Sequence, residues 1–188
     1  QAVGAALEAA GRPSTVTFEP TDGPVGKLLR SMLRGEIASL GNEADDRALF
    51  ARLFAADRLH HLACPDTGIR RHLRDGTSVI CARYVLSSLA YEGESSEELA
   101  RVRALNAEFP VPDLTVYLDC PVDVAIARIR ARGGLLEVFE NGEKLERTRA
   151  RYEASISDYP GHILRLDARE EAPRVTARIM DALSAGMK

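Results

Sequence analysis

Apolar residues along this 188-residue chain follow two rhythms. Short apolar runs mark strands at Val16-Thr17-Phe18, Thr77 to Cys81, Leu114 to Leu118 and Ile163 to Leu166. The run Leu114-Thr115-Val116-Tyr117-Leu118 is apolar almost throughout, which predicts a strand buried on both faces. Between the runs, the chain reads as helix. Helices are predicted over residues 1–10, 24–33, 65–74, 85–91, 121–132, 140–157 and 172–183. Two more begin at Asn42 or Asp45 and at Ser95 or Ser96, and end near Leu62 and Asn106. Pro24 and Pro121 suit helix starts, Gly11 and Gly133-Gly134 suit helix ends, and Asp75-Gly76 turns the chain into a strand. Strands separated by helices imply right-handed crossovers and a parallel sheet with helices on both faces. The expectation is one α/β domain over residues 1–188, without linkers or repeats.

Composition narrows the function classes. The length suits a single domain with a real core. A net charge of −3 gives no electrostatic case for nucleic-acid binding. No run approaches the ~18 apolar residues of a membrane span. The first residues, QAVGAALEAAG, do not read as a signal peptide. Cys64, Cys81 and Cys120 are odd in number and far apart, so they read as reduced thiols of a cytoplasmic protein. The lysines are three, Lys27, Lys144 and Lys188, and the other 22 basic residues are arginines. A single arginine is therefore weak information here, and only arginines at special positions count.

The stretch Thr77 to Glu92 is such a position. Its apolar strand breaks into Arg83, Tyr84, Ser87, Ser88, Tyr91 and Glu92. Ligands of open α/β sheets bind beyond the carboxyl ends of the strands, so Arg83 is placed to hold an anion. The bland alternative is a polar surface helix. In LFAADR, Phe54 and Arg58 lie one turn apart on a helix face. They could stack a ring and hold a phosphate. Equally, Phe54 could be core and Arg58 could snorkel to solvent. Arg128 and Arg132 share a face in ARIRARGGLLEVF, where Gly133-Gly134 offers a hinge. That pattern fits either a lid that closes guanidinium groups over phosphates or a solvated cationic helix end. His60, His61, His72 and His162 have no metal-ligand spacing, and no metal ligand is expected.

These segments together resemble the thymidylate (dTMP) kinase family. ARYVLSSLAYEG is similar to the family's DRYxxSxxAYQG, and LFAADR to LLFAADR. FEPTDGPVGKLLR resembles REPGGTPxGExxR, and PDLTVYLDCPVDVAIARI resembles PDLTIYLDVPPEVALERI. The order and spacing agree over the whole chain. The resemblance implies a P-loop NTPase-like three-layer fold and a lid over about residues 127–140. It implies transfer of phosphate from ATP to dTMP with Mg²⁺ in dTTP biosynthesis, and a homodimer, with Leu49, Phe50 and Leu53 as a candidate contact face. It places Phe54 on the thymine ring and Arg58 at the base or the dTMP phosphate. Arg83 would bridge the two substrates' phosphates, and Arg128 and Arg132 would close on ATP and stabilise transferring charge. Ser87, Ser88 and Glu92 would face the base, Tyr91 would lie under the deoxyribose, and Phe18 would be in the segment approaching the dTMP phosphate.

The sequence departs from the family in three ways. The GxxxxGK[ST] loop and its strand are absent from Gln1 onward, and Thr21 stands where a first glycine would precede Gly26-Lys27. The family's loop aligns just before Gln1, so the expectation is a chain that lacks its natural start. Ala82 replaces the Asp of DRY, which removes a carboxylate that acts on Mg²⁺ or its waters. Thr17-Phe18 replaces Thr-Arg, and Glu92 replaces Gln, which trades a group that donates and accepts for one that only accepts when ionised. These departures keep two alternatives open: a catalytically inactive nucleotide-binding or regulatory relative, and a kinase for another nucleoside monophosphate.

Overall fold

The structure, a computed structural model, describes residues 1–131 and 142–186. Its elements are, in order, α1 (Ala2–Ala9), β1 (Ser14–Phe18), α2 (Pro24–Leu33), α3 (Glu43–Ala63), α4 (Ile69–Arg74), β2 (Ser78–Ala82), α5 (Val85–Glu92), α6 (Ser96–Asn106), β3 (Thr115–Asp119), α7 (Val122–Ala131), α8 (Gly142–Ile156), β4 (Ile163–Asp167) and α9 (Ala172–Ala185). Local chemistry sets several bounds. Pro24 stands in the first turn of α2. The Asn42 side chain accepts from the Ala44 amide and so starts α3, which resolves the choice between Asn42 and Asp45. Ser95 and Glu98 form a reciprocal capping box at α6, and Ser95 is its cap. Helix α4 starts later than Pro65, because Gly68 is its extended N-cap and residues 65–67 form a turn.

All the strands pair in parallel, as predicted, but they do not join into one sheet. β1 pairs with β2, with Ser14 opposite Ser78 and Phe18 opposite Ala82. β3 pairs with β4, with Thr115 opposite Ile163 and Asp119 opposite Asp167. Among the described residues, no ladder joins β2 to β3. This corrects the expectation that Leu114–Leu118 is buried on both faces. Leu118 is 49% exposed, and Tyr117 is the buried member of β3. Successive strand side chains point to opposite faces, so the face of β3 that carries Tyr117 is covered and the face that carries Leu118 is open to solvent there.

Helices hold the two strand pairs together. One apolar cluster gathers Ala51 of α3, Leu86 and Leu89 of α5 and Val102 of α6, with Tyr152 and Ile156 of α8 against it. A second gathers Ala55, Leu62, Ile69 and Phe109 under Val79 of β2. Each fully buried leucine contributes roughly 1.5–3 kcal/mol. Tyr152 also stacks on Tyr117 of β3 at 5.5 Å and meets Tyr91 of α5 edge-on at 6.1 Å. An aromatic chain thus runs from one strand pair to the helix that follows the other.

Candidate functional site

The carboxyl ends of β1 and β2 lie side by side, and the chain leaves each with a polar residue. The ladder extends one step past β1, where the Glu19 amide donates to the Ala82 carbonyl at 3.0 Å. Glu19 is thereby fixed beside the start of the Arg83–Glu92 segment. Arg83 takes φ = +67°, the one positive φ of a non-glycine residue among those described. Left-handed backbone costs a residue with a side chain about 1 kcal/mol or more, and such residues cluster at functional sites. The turn points Arg83 along α5, and its guanidinium lies over the Tyr91 ring at 5.1 Å.

Arg58 comes from α3 and is buried, with its side chain 1% exposed. Snorkelling to solvent is therefore ruled out. Its Nε and Nη2 donate to Glu19 Oε2 at 3.0 and 2.7 Å. Nη1 donates to Asn106 Oδ1, and Nη2 also reaches Ser88 Oγ at 3.3 Å. The rings of Tyr84 and Phe109 lie 5.0 and 5.8 Å from the guanidinium carbon. The other Glu19 oxygen meets His61 Nδ1 at 3.2 Å, and His61 Nε2 meets the Thr17 hydroxyl at 2.7 Å. Buried charges need this degree of pairing, because an unpaired one costs several kcal/mol.

A second buried carboxylate fixes the turn after β1. Asp57 accepts from the Thr21 amide at 2.7 Å and from its hydroxyl at 2.6 Å. Gly26 of α2 packs so tightly on this turn that a Cβ there would stand 2.0 Å from the Thr21 carbonyl oxygen. The segment Glu19–Asp22 is thus held by α2 and α3 together.

These parts line one narrow cleft, formed by Glu19, Phe54, Arg58, Arg83, Tyr84, Ser87, Ser88, Tyr91 and Glu92. Seven of these were singled out from sequence as substrate-contacting residues, and the cleft brings them together. Tyr152 of α8 closes one side through its hydroxyl, which donates to Ser87 Oγ at 2.9 Å. Phe18 is not among the lining residues. It is 42% exposed and carries Arg30 over its ring at 5.5 Å. The reason is strand alternation: Glu19, one residue on, takes the cleft side. Arg128 lies exposed on α7, on the side of Asp167. Arg132 and most of the expected lid, residues 132–140, lie outside the described residues.

Several ionisable groups in and beside the cleft are far from their ordinary state, and burial raises the Tyr84 and Tyr152 hydroxyls. Burial pushes the Glu92 carboxyl up to about 8, against a hydrogen bond from Ser88 and the charges of Arg58, Arg83 and Arg151. Burial likewise holds the Cys81 thiol neutral, up to about 12. Sequence reasoning missed Glu19 and Asn106 as partners of Arg58, and His61 as a partner of Glu19, since these pairs lie 39, 48 and 42 residues apart and give no local signal. It also did not bring together Glu19, His61 and Cys81, whose potential ligand atoms lie within 4.8 Å of one another. Glu19 and His61 already serve the Arg58 and Thr17 bonds.

An α/β protein with parallel strands, a ring-and-guanidinium cleft beyond the strand ends and an aromatic floor belongs to the class of nucleotide-binding α/β domains. The thymidylate kinase family model matches residues 1–179, and the chain belongs to that family. Three relatives carry thymidylate kinase in their names. One from Treponema pallidum (strain Nichols) is 38% identical over 172 residues, covering 89% of this chain and 79% of that one. One from Pyrobaculum calidifontis is 40% identical over 171 residues, covering 90% and 83%. One from Xanthomonas oryzae pv. oryzae is 40% identical over 144 residues, covering 76% and 59%.

Proposed function

We propose that this protein phosphorylates dTMP to dTDP with ATP, as a step of dTTP biosynthesis in the cytoplasm. The observation that carries the reading is the single cleft lined by Phe54, Arg58, Arg83, Ser88 and Tyr91, in a chain of the thymidylate kinase family. Phosphoryl transfer needs positioning and charge neutralisation more than covalent help. Phe54 supplies a face for the thymine ring. Arg58, fixed by Glu19, acts chiefly by orienting Ser88 and by its positive charge behind the base. Tyr91 floors the sugar. Arg83, held at the strand end, lies between acceptor and donor phosphates, and Arg128 and Arg132 of the lid (about residues 127–140) close on the donor. The assembled fold is a single P-loop NTPase-like three-layer domain, and its dimer face is Leu49, Phe50 and Leu53 of α3. No helix among the described residues is long and apolar enough to cross a membrane.

Mg²⁺ enters this reading as the counter-ion of ATP. Ala82 has no side-chain oxygen to offer a cation or its waters at the end of β2, its carbonyl accepts from the Glu19 amide, and the Glu19 carboxylate is engaged by Arg58 and His61. The described residues at that strand end therefore do not fit a resident Mg²⁺, and no step is assigned to one. Restoring a carboxylate with Ala82→Asp should raise kcat, and an unchanged kcat at every Mg²⁺ concentration would contradict this.

An ADP-release assay across dTMP, dUMP, dCMP and dGMP, run beside calorimetry with dTMP, tests the whole reading. Turnover with dTMP above the others is expected. Binding of dTMP without turnover would favour the regulatory relative, to which Ala82 already lends weight. Turnover with a different monophosphate would reassign the substrate.

A further inference from the structure

Glu92 is the last residue of α5 and is 6% exposed. It stands one turn beyond Ser88 in the cleft wall. Its two oxygens differ. The carboxyl receives a hydrogen bond from Ser88, whose own oxygen receives Arg58 Nη2 at 3.3 Å. Oε2 is shielded from solvent and has no hydrogen-bond partner.

The surrounding charges do not neutralise it by contact. On α3, Arg58 is paired with Glu19. On the turn before α5, Arg83 stacks on Tyr91. On α8, Arg151 bonds the Ala90 carbonyl and pairs with Glu94, and the Tyr152 hydroxyl goes to Ser87. On α6, Glu98 is committed to Arg47 and the Ser95 amide. An ionised Glu92 would thus be a buried negative charge with one oxygen unpaired, which is costly. The neutral acid avoids that cost, in line with a titration pushed up to about 8 by burial.

A neutral carboxylic acid both donates and accepts. We propose that Glu92 binds the nucleotide as the neutral acid and donates its carboxyl proton to a carbonyl oxygen of a pyrimidine-dione base. This deepens the dTMP kinase reading and rests on it. The glutamate does the work of an amide as long as it keeps its proton. A 4-amino pyrimidine such as cytosine presents a donor where thymine presents a carbonyl, so the acid form disfavours it and the ionised form accepts from it.

Two measurements on the full chain test this. The first follows the Glu92 carboxyl by ¹³C NMR from pH 5 to 10, with the signal assigned by its loss in Glu92→Gln. A midpoint near 8 that moves higher with saturating dTMP is expected. A midpoint in the ordinary carboxylate range, or one that bound dTMP leaves unmoved or lowers, overturns the proposal. The second compares Kd for dTMP and dCMP at pH 7 and 9, wild type against Glu92→Gln, so that ionisation of the ligands cancels. If the acid form alone binds, wild-type affinity for dTMP falls about tenfold relative to the variant, and affinity for dCMP does not. Parallel profiles in the two proteins overturn the role of Glu92 and leave the dTMP reading standing. Absence of dTMP binding in both proteins at both pH values overturns that reading and this proposal together.

Discussion

Glu19 and Asp119 both sit at the carboxyl end of a strand and both meet arginine, but in different surroundings. Glu19 and Arg58 are each 1% exposed, and every strong contact they make is internal. Asp119 receives Arg149 at 2.9 Å and Arg165 from side chains that are 37% and 52% exposed, in a shallow basin with Asp167 and Arg169. The same ion-pair chemistry has opposite consequences. Beyond β1 and β2 it is a rigid frame whose loss leaves a stranded charge. Beyond β3 and β4 it is a screened surface network, free to exchange partners with solvent or a charged ligand.

Removing one partner from each network exposes this contrast most sharply. Arg58→Met should destabilise the protein by roughly 3–5 kcal/mol, because Glu19 stays buried without its cation. Thermal denaturation would show a loss on the order of 10 °C for a chain of this size. A small loss would mean that His61 and solvent can carry Glu19, and the frame would not be one.

The two regions should also respond to pH with opposite sign. Glu92 keeps a proton that the unfolded chain releases, since its carboxyl is raised from 4.5 to about 8. Stability from this group therefore falls as pH rises from 4.5 to 8 and is flat beyond. Asp167 is held down from 3.8 to about 2 by its hydrogen bonds from Arg169. Its stabilisation is present above pH 3.8 and disappears as pH falls through about 2. In Tm-versus-pH curves, Glu92→Gln should flatten the fall between pH 4.5 and 8, and Asp167→Asn should change only the limb below pH 3.8. If Glu92→Gln leaves the fall unchanged, the carboxyl is not protonated in the folded protein.

The smallest effect belongs to Arg165→Ala. The side chain is half exposed and Asp119 keeps Arg149, so Tm should barely move, and less still in high salt. A loss comparable to that of Arg58→Met would erase the distinction between the regions.

Local features were legible and long-range ones were not. Pro24, Asn42 and Ser95 mark helix starts by chemistry that acts within a turn, so the start of α2 could be placed from sequence and those of α3 and α6 narrowed to two candidates each. Phe54 with Arg58, and Ser88 with Glu92, share faces by helix spacing, so much of the cleft could be read before any fold was known. The division into two strand pairs could not, because a ladder depends on which strand arrives at an edge rather than on the strand's own residues. The left-handed Arg83 was equally silent, since no glycine or asparagine marks that position. The state of Glu92 needed its neighbours: a glutamate in a sequence is an anion until burial is known.

The claim that the cleft receives dTMP is tested most directly by calorimetric titration of dTMP into wild-type protein and Phe54→Ala. Phe54 is half-buried in the cleft wall and makes no bond in the Glu19–Arg58 frame, so the variant should fold. The account predicts saturable binding to wild type and a loss of about 1–3 kcal/mol in the variant, the scale of one base stacked on one ring. Equal affinity in the two proteins would place the nucleotide elsewhere and contradict it.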